Sequence, residues 1–170
     1  TNTPAAMDIV VNLGTFPSNQ PPTASVSASA TAVATGGVVT LTATGIDPDG
    51  DPLAYWWDFG DRTVGSNLAV TAHSWASTGD YVARCVVSDM KGGTASDSVV
   101  IRVGSPATFQ VTGQVIADGQ PLPDARVFVT NSTTILTYSD SDGTYTLTGL
   151  GAGTFAVTAG KYGHNFTTNF

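Results

Sequence analysis

The chain has 170 residues, 41% of them hydrophobic, only 11% charged, and a formal net charge of −7. That apolar share supports packed cores and excludes a disordered chain. Six Lys and Arg in no cluster, against 13 acids, exclude a phosphate-binding surface for nucleic acid and an anionic-membrane surface, and no apolar run reaches the ~20 residues of a membrane-spanning helix.

All 13 acids are Asp, and Glu is absent. Glu favours helix interiors, whereas Asp favours turns, caps and metal loops. With 19 Gly and 9 Pro, and with Thr and Val abundant, the chain reads as nearly all-β. Cys85 is the sole cysteine, so no intrachain disulfide forms, and it is expected as a small buried hydrophobe. The chain opens on Thr1 without a leader and is expected to be a piece of a larger, processed protein.

Residues 1–18 carry one β-like run, Asp8 to Leu13, and read as a linker or the end of a preceding module. Asn19-Gln20-Pro21-Pro22 gives an extended, rigid lead-in. Val38 to Ala43 is the first strong strand, and Asp47-Pro48-Asp49-Gly50-Asp51-Pro52 is a turn dense in Asp, Pro and Gly. In the strand from Leu53 to Phe59, Tyr55, Trp57 and Phe59 share one face, and Trp56 and Asp58 the other. Tyr81 to Val87 repeats that alternation, with Tyr81, Ala83, Cys85 and Val87 together, and Ser98 to Val103 closes the unit. Gly104-Ser105-Pro106 is a short linker. A second series of short strands follows from about Thr108, and no segment supports a helix of normal length.

The lead-in Asn-x-Pro-Pro, the Asp-rich turn, Trp57-Asp58-Phe59-Gly60-Asp61, Gly79-Asp80-Tyr81 and Asp89-Met90-Lys91-Gly92 together resemble a PKD domain, over about residues 19–103. Two positions depart from its pattern: Arg62 stands where Gly is usual, and Trp75 where Tyr is usual. Gly113-x-Val115, Gly119-x-Pro121-Leu122-Pro123-Asp124-Ala125, Asp140-x-Asp142-Gly143-x-Tyr145 and Gly153-x-Phe155-x-Val157 resemble a carboxypeptidase regulatory-like domain. There Asp124 stands where Gly is common. The resemblances imply an all-β chain of two tandem β-sandwich domains: an immunoglobulin-like PKD domain over 19–104, then a prealbumin/transthyretin-like domain over 105–170. The second is expected to lack a closing strand after Phe170.

Asp47, Asp49 and Asp51 place three carboxylates in five residues, the oxygen-rich donor set calcium prefers. They do not form an EF-hand, whose sixth position must be Gly and is here Pro52. The PKD resemblance implies a calcium site uniting Asn19, Gln20, Asp47, Asp49 and Asp89 at one end of the sandwich; the alternative is that these acids only cap turns. Asp58 and Asp61 read as turn acids, and His73 as a packed, hydrogen-bonded histidine. Asp140 and Asp142 read as hairpin-turn acids in preference to a cation site, and Asn131-Ser132-Thr133 is a formal glycosylation acceptor or a polar turn.

His-Glu-x-x-His, Gly-x-Ser-x-Gly and P-loop patterns are absent, so intrinsic catalysis is the weakest reading. The favoured one is a non-catalytic spacer pair of a larger secreted or surface bacterial protein, such as a metallopeptidase. Its partners are then the neighbouring domains. The alternative is a module that binds an insoluble polysaccharide or collagen-like substrate through Trp56, the one aromatic in its strand that alternation turns outward.

Overall fold

Two separate apolar clusters organise the molecule, and in the computed structural model residues 18–130 and 134–163 are described. The expected strand at Asp8–Leu13, the acceptor Asn131-Ser132-Thr133 and the segment from His164 to Phe170 lie outside them. The described residues are strands, turns and connections, with no helix.

The first module has seven strands: β1 (Thr23–Ala28), β2 (Ala32–Val33), β3 (Val38–Ile46), β4 (Ala54–Asp58), β5 (Val70–Ser74), β6 (Gly79–Ser88) and β7 (Thr94–Val103). They form two sheets, ordered β1-β3-β5 and β2-β7-β6-β4. All pairings are antiparallel except the short β2 beside β7. Alternation along β3, β4 and β6 points Val39, Leu41, Trp57, Ala83, Cys85 and Val87 into the space between the sheets. Trp57 is fully buried there, and its indole N–H donates to Leu68 O at 2.9 Å. Trp75 likewise donates to Phe59 O at 3.0 Å, so neither large ring buries an unpaired donor. Cys85 is fully buried, as expected, and burial pushes its thiol up to about 11.

Aromatic rings continue from this core to its edge. Phe59 stacks on His73 with centroids 4.0 Å apart, and His73 meets Trp75 edge-on at 4.7 Å. Asp61 holds the other side of the imidazole, 2.9 Å from Nε2. Next to it Arg62 has φ 72°, a left-handed conformation that suits glycine, which accounts for the residue usual in the pattern at that turn.

The second module contains β8 (Phe109–Gln114), β9 (Ile116–Ala117), β10 (Gln120–Pro121), β11 (Arg126–Thr130), β12 (Thr134–Tyr138), β13 (Thr144–Leu150) and β14 (Val157–Gly160). Its sheets are β12-β11-β14, β13-β8 and the small β10-β9 pair. Val115, Leu122, Ala125, Val127, Val129, Leu147 and Leu150 form its core. Asp124 has φ 52°, again where glycine is common, but here the side chain has a task at the junction.

That junction lies on the outward face of β6 and β7. Arg84 reaches across it, donating from Nε to Asp140 at 3.1 Å and from Nη2 to Asp124 at 2.6 Å, while Nη2 also bonds Ser96 of its own module at 2.7 Å. Ser98 donates to the second oxygen of Asp140. Ser96 and Ser141 exchange bonds reciprocally: Ser96 N–H to Ser141 Oγ at 2.6 Å, and Ser141 N–H to Ser96 O at 3.0 Å. The modules are therefore joined by a small polar interface as well as by Gly104-Ser105-Pro106.

Candidate functional site

The Asp-rich turn, the lead-in and the β6–β7 hairpin meet at one pole of the first module. Asp47 shapes the turn itself: its Oδ1 accepts the N–H groups of Asp49 and Asp51 at 2.9 and 3.0 Å, an Asx-type arrangement. One carboxylate oxygen from each of Asp47, Asp49 and Asp51 falls within 4.8 Å of the others.

Contacts distant in sequence tie the lead-in to this turn. Gln20 donates to Asp49 twice, from its backbone N–H at 2.7 Å and its side-chain amide at 3.1 Å. Asn19 Nδ2 donates to Asp89 Oδ2 at 2.7 Å, across 70 residues of sequence. Asp89 is 1% exposed, and its two oxygens also receive the N–H groups of Lys91 and Gly93. The Asn19 amide foremost, then those backbone donors and Gly92, hold the Asp89 carboxyl below its ordinary range against the burial that would raise it. Gly93 is required: a Cβ there would lie 2.2 Å from Asp89 Oδ2 and 2.7 Å from Pro21 Cα.

All five residues expected at this pole, Asn19, Gln20, Asp47, Asp49 and Asp89, thus converge there. Their donors and acceptors are unequally free. Asp49 and Asp89 are engaged by the lead-in, whereas Asp47 Oδ2 and Asp51 Oδ2 are buried without a hydrogen-bond partner. Unpaired buried carboxylate oxygens are costly, and a hard cation is the partner that suits them. Asp51, read from sequence only as a third carboxylate of the turn, is therefore central to the cluster. The Lys91 ammonium already bonds Asp51 Oδ1; that bond, ahead of the charges of Asp51, Asp47 and Asp49, raises the Lys91 pKa although burial opposes it. The turn acids fit a cation, with one internal cation already at their edge.

Trp56 lies on the opposite face of β4 from Trp57 and is 47% exposed. Asp58 and Asp61 cap the turn after β4, accepting from Gly60 N–H at 2.8 Å and Thr63 N–H at 3.0 Å. Burial alone would raise the Asp61 carboxyl, but bonds from the Thr63 hydroxyl, His73 and Thr63 N–H outweigh it and hold it low. Asp142 caps its turn, taking Thr144 N–H at 2.9 Å, but that turn is not the expected hairpin, because β12 and β13 on either side of it belong to different sheets. Asp140 begins the same turn, its N–H donating to Thr144 O at 2.8 Å, but its carboxylate is buried at the module junction, and burial raises it despite Ser98 and Arg84.

Comparison with known proteins places the two modules in families. The family described as PKD domain matches residues 19–103, and that described as carboxypeptidase regulatory-like domain matches residues 110–169. A collagenase, ColA of Clostridium perfringens, is 37% identical over 68 residues, 40% of this chain and 6% of that protein. A chitinase, ChiA of Flavobacterium johnsoniae, is 32% identical over 110 residues, 64% of this chain and 7% of that protein. The chain thus spans under a tenth of the length of either relative. Among solved structures, the PKD domain of an M14-like peptidase from the Thermoplasmatales archaeon SCGC AB-540-F20 is 21% identical with a TM-score of 0.48, covering 52% of this chain and all of that one.

Proposed function

This chain belongs to the PKD-domain family over residues 19–103 and continues into a carboxypeptidase regulatory-like domain, and from that premise we propose that it is a non-catalytic accessory pair of a larger secreted or surface bacterial protein. The observation that carries this is the slight overlap with its relatives: the match occupies 6% of a collagenase and 7% of a chitinase, too little of either to hold its chemistry. The parent is a hydrolase such as a metallopeptidase, and the pair spaces its domains outside the cell. Assaying the 170-residue chain against gelatin, collagen and chitin tests this; turnover of any of them overturns it.

Calcium, in the same reading, binds at the pole of Asp47, Asp49 and Asp51, with Asn19, Gln20 and Asp89 holding the lead-in against it. The unpaired Oδ2 atoms of Asp47 and Asp51 support this. Extracellular modules bind calcium in the range of about 10⁻⁴–10⁻³ M, so a tenfold excess over Kd stabilises by roughly 1.4 kcal/mol. Melting should rise by several degrees at millimolar calcium in the parent and not in Asp47→Asn/Asp51→Asn. An unchanged melting temperature in the parent removes calcium from the proposal.

A second reading is favoured by the exposure of Trp56. A large ring open to solvent suits stacking on a sugar ring or a protein surface. Retention of the chain on chitin, cellulose or collagen, lost in Trp56→Ala, is the outcome that supports it.

A further inference from the structure

Beside the Arg84 junction the modules leave a cleft of about 160 Å³. Its floor is the outward face of β4 and β6, where Asp58 and Arg84 stand directly opposite each other in the strand register. Its far wall is β12, which turns Leu136 and Tyr138 outward, 42% and 45% exposed.

Neighbouring Asp and Arg on one sheet face ordinarily pair. Here Arg84 is drawn across the junction to Asp124 and Asp140, and among the described residues Asp58 forms no ion pair. Asp58 gives one oxygen to Gly60 N–H, and its other oxygen accepts nothing from the described residues. Arg84 donates from Nε and Nη2 only, which leaves Nη1 without a partner among them. The docking of the modules thus places an open acceptor and an open donor side by side, facing a wall with an aliphatic and an aromatic side chain.

That combination selects a ligand class. An anion is opposed by Asp58 and by the net charge of −7. A calcium ion requires six to eight oxygens, and the cleft offers one carboxylate. A wholly apolar ligand would desolvate Asp58 and Arg84 without repayment. A hydroxyl group can donate to Asp58 and accept from Arg84 at once, and the C–H face of a pyranose lies well on an aromatic ring. The volume is below the roughly 300–1,000 Å³ of drug-sized sites and suits a single ring.

We propose that the cleft between the modules is a saccharide subsite taking one ring of a neutral, hydroxyl-rich sugar, with Asp58 and Arg84 hydrogen-bonding its hydroxyls and Tyr138 packing on its face. This deepens the substrate-binding reading and rests on it for the ligand class; Asp58 shares the outward face of β4 with Trp56, but the Trp56 ring does not line the cleft. It also makes recognition a property of the pair, since neither module alone presents both walls.

The test is an amide-shift titration of the full chain with cellotetraose, chitotetraose and mannotetraose. Saturable shifts at residues 58–60, 82–84 and 136–138 with one of the three are expected. Tyr138→Ala and Asp58→Asn should each weaken binding at least tenfold, and Tyr138→Phe should retain it. Asn at position 58 keeps an oxygen for the Gly60 cap, and unchanged far-UV spectra and melting certify that the variants are folded. No saturation with any of the three, or full binding by both Tyr138→Ala and Asp58→Asn, overturns the cleft. Shifts around Trp56 with none at residues 82–84 and 136–138 also overturn it while leaving the Trp56 reading intact.

Discussion

Arg84 and Asp140, 56 residues apart, meet at 3.1 Å across the boundary between the two modules, with Asp140 almost completely buried. Breaking a buried pair by removing one partner costs about 3–5 kcal/mol when the remaining charge stays buried. Undocking rehydrates Asp140, so the penalty is limited by the docking free energy itself. Arg84→Ala should therefore separate the modules rather than unfold them. Calorimetry should resolve two transitions where the parent shows more closely coupled melting, and small-angle scattering should report a larger radius of gyration. A single unshifted transition would contradict a structural role for the pair.

Two left-handed positions with different duties give a paired test. Arg62 at φ 72° makes no hydrogen bond among the described residues, so Arg62→Gly removes strain of about 1–2 kcal/mol, partly offset by the greater entropy of the unfolded glycine chain. A net rise of a few degrees in melting temperature is expected. Asp124→Gly relieves similar strain but loses the 2.6 Å bond to Arg84, and should weaken docking instead. Equal gains from both changes would refute the distinction.

Tryptophans adjacent in sequence should behave oppositely. Trp57→Ala empties the centre of the first core and should cost about 3–5 kcal/mol, a large fraction of the roughly 5–15 kcal/mol of an ordinary domain. Trp56→Ala removes an exposed ring and should stay within about 0.5 kcal/mol. Urea titration of each variant checks both.

The Asp residues divide by sign in acid. Asp61 and Asp89 have depressed folded-state values, so their contribution is present above the ordinary carboxylate value of 3.8 and is lost as pH falls through the folded value. Asp140 is raised: its ionised form costs stability at neutral pH, and that cost disappears as pH falls through its folded value toward 3.8. Melting temperature should therefore fall steeply only below about pH 4. Asp89→Asn should flatten that fall, while Asp140→Asn should remove the gain that protonating Asp140 gives above it, as pH falls from its raised folded value towards 3.8. A parallel pH profile for parent and Asp140→Asn would overturn this assignment.

The strands of the first module were legible because Tyr55, Trp57 and Phe59 alternate with Trp56 and Asp58, a period that only a two-faced sheet satisfies. Turns were legible from Asp47-Pro48-Asp49-Gly50 for the same local reason. The meeting of Asn19 with Asp89 was not, since nothing local links positions 70 apart; resemblance to a family supplied it. The junction escaped altogether. Alternation turns Arg84 outward on β6 and correctly takes it from the core, but cannot tell that a second module covers that face. Asp140 carries the local signature of a turn acid, and nothing local shows that its carboxylate meets Arg84 and Ser98 of the other module.

The lead-in is pinned beside Asp89 at one pole, where β6 ends and β7 begins, whereas the chain leaves at Val103, paired with Gly79 at the opposite pole. Tension along the polypeptide therefore pulls β1 lengthwise past β3. The hydrogen bonds of that ladder stand across the load and must fail together instead of parting one by one. The ladder thus braces the first module against stretching between its two ends.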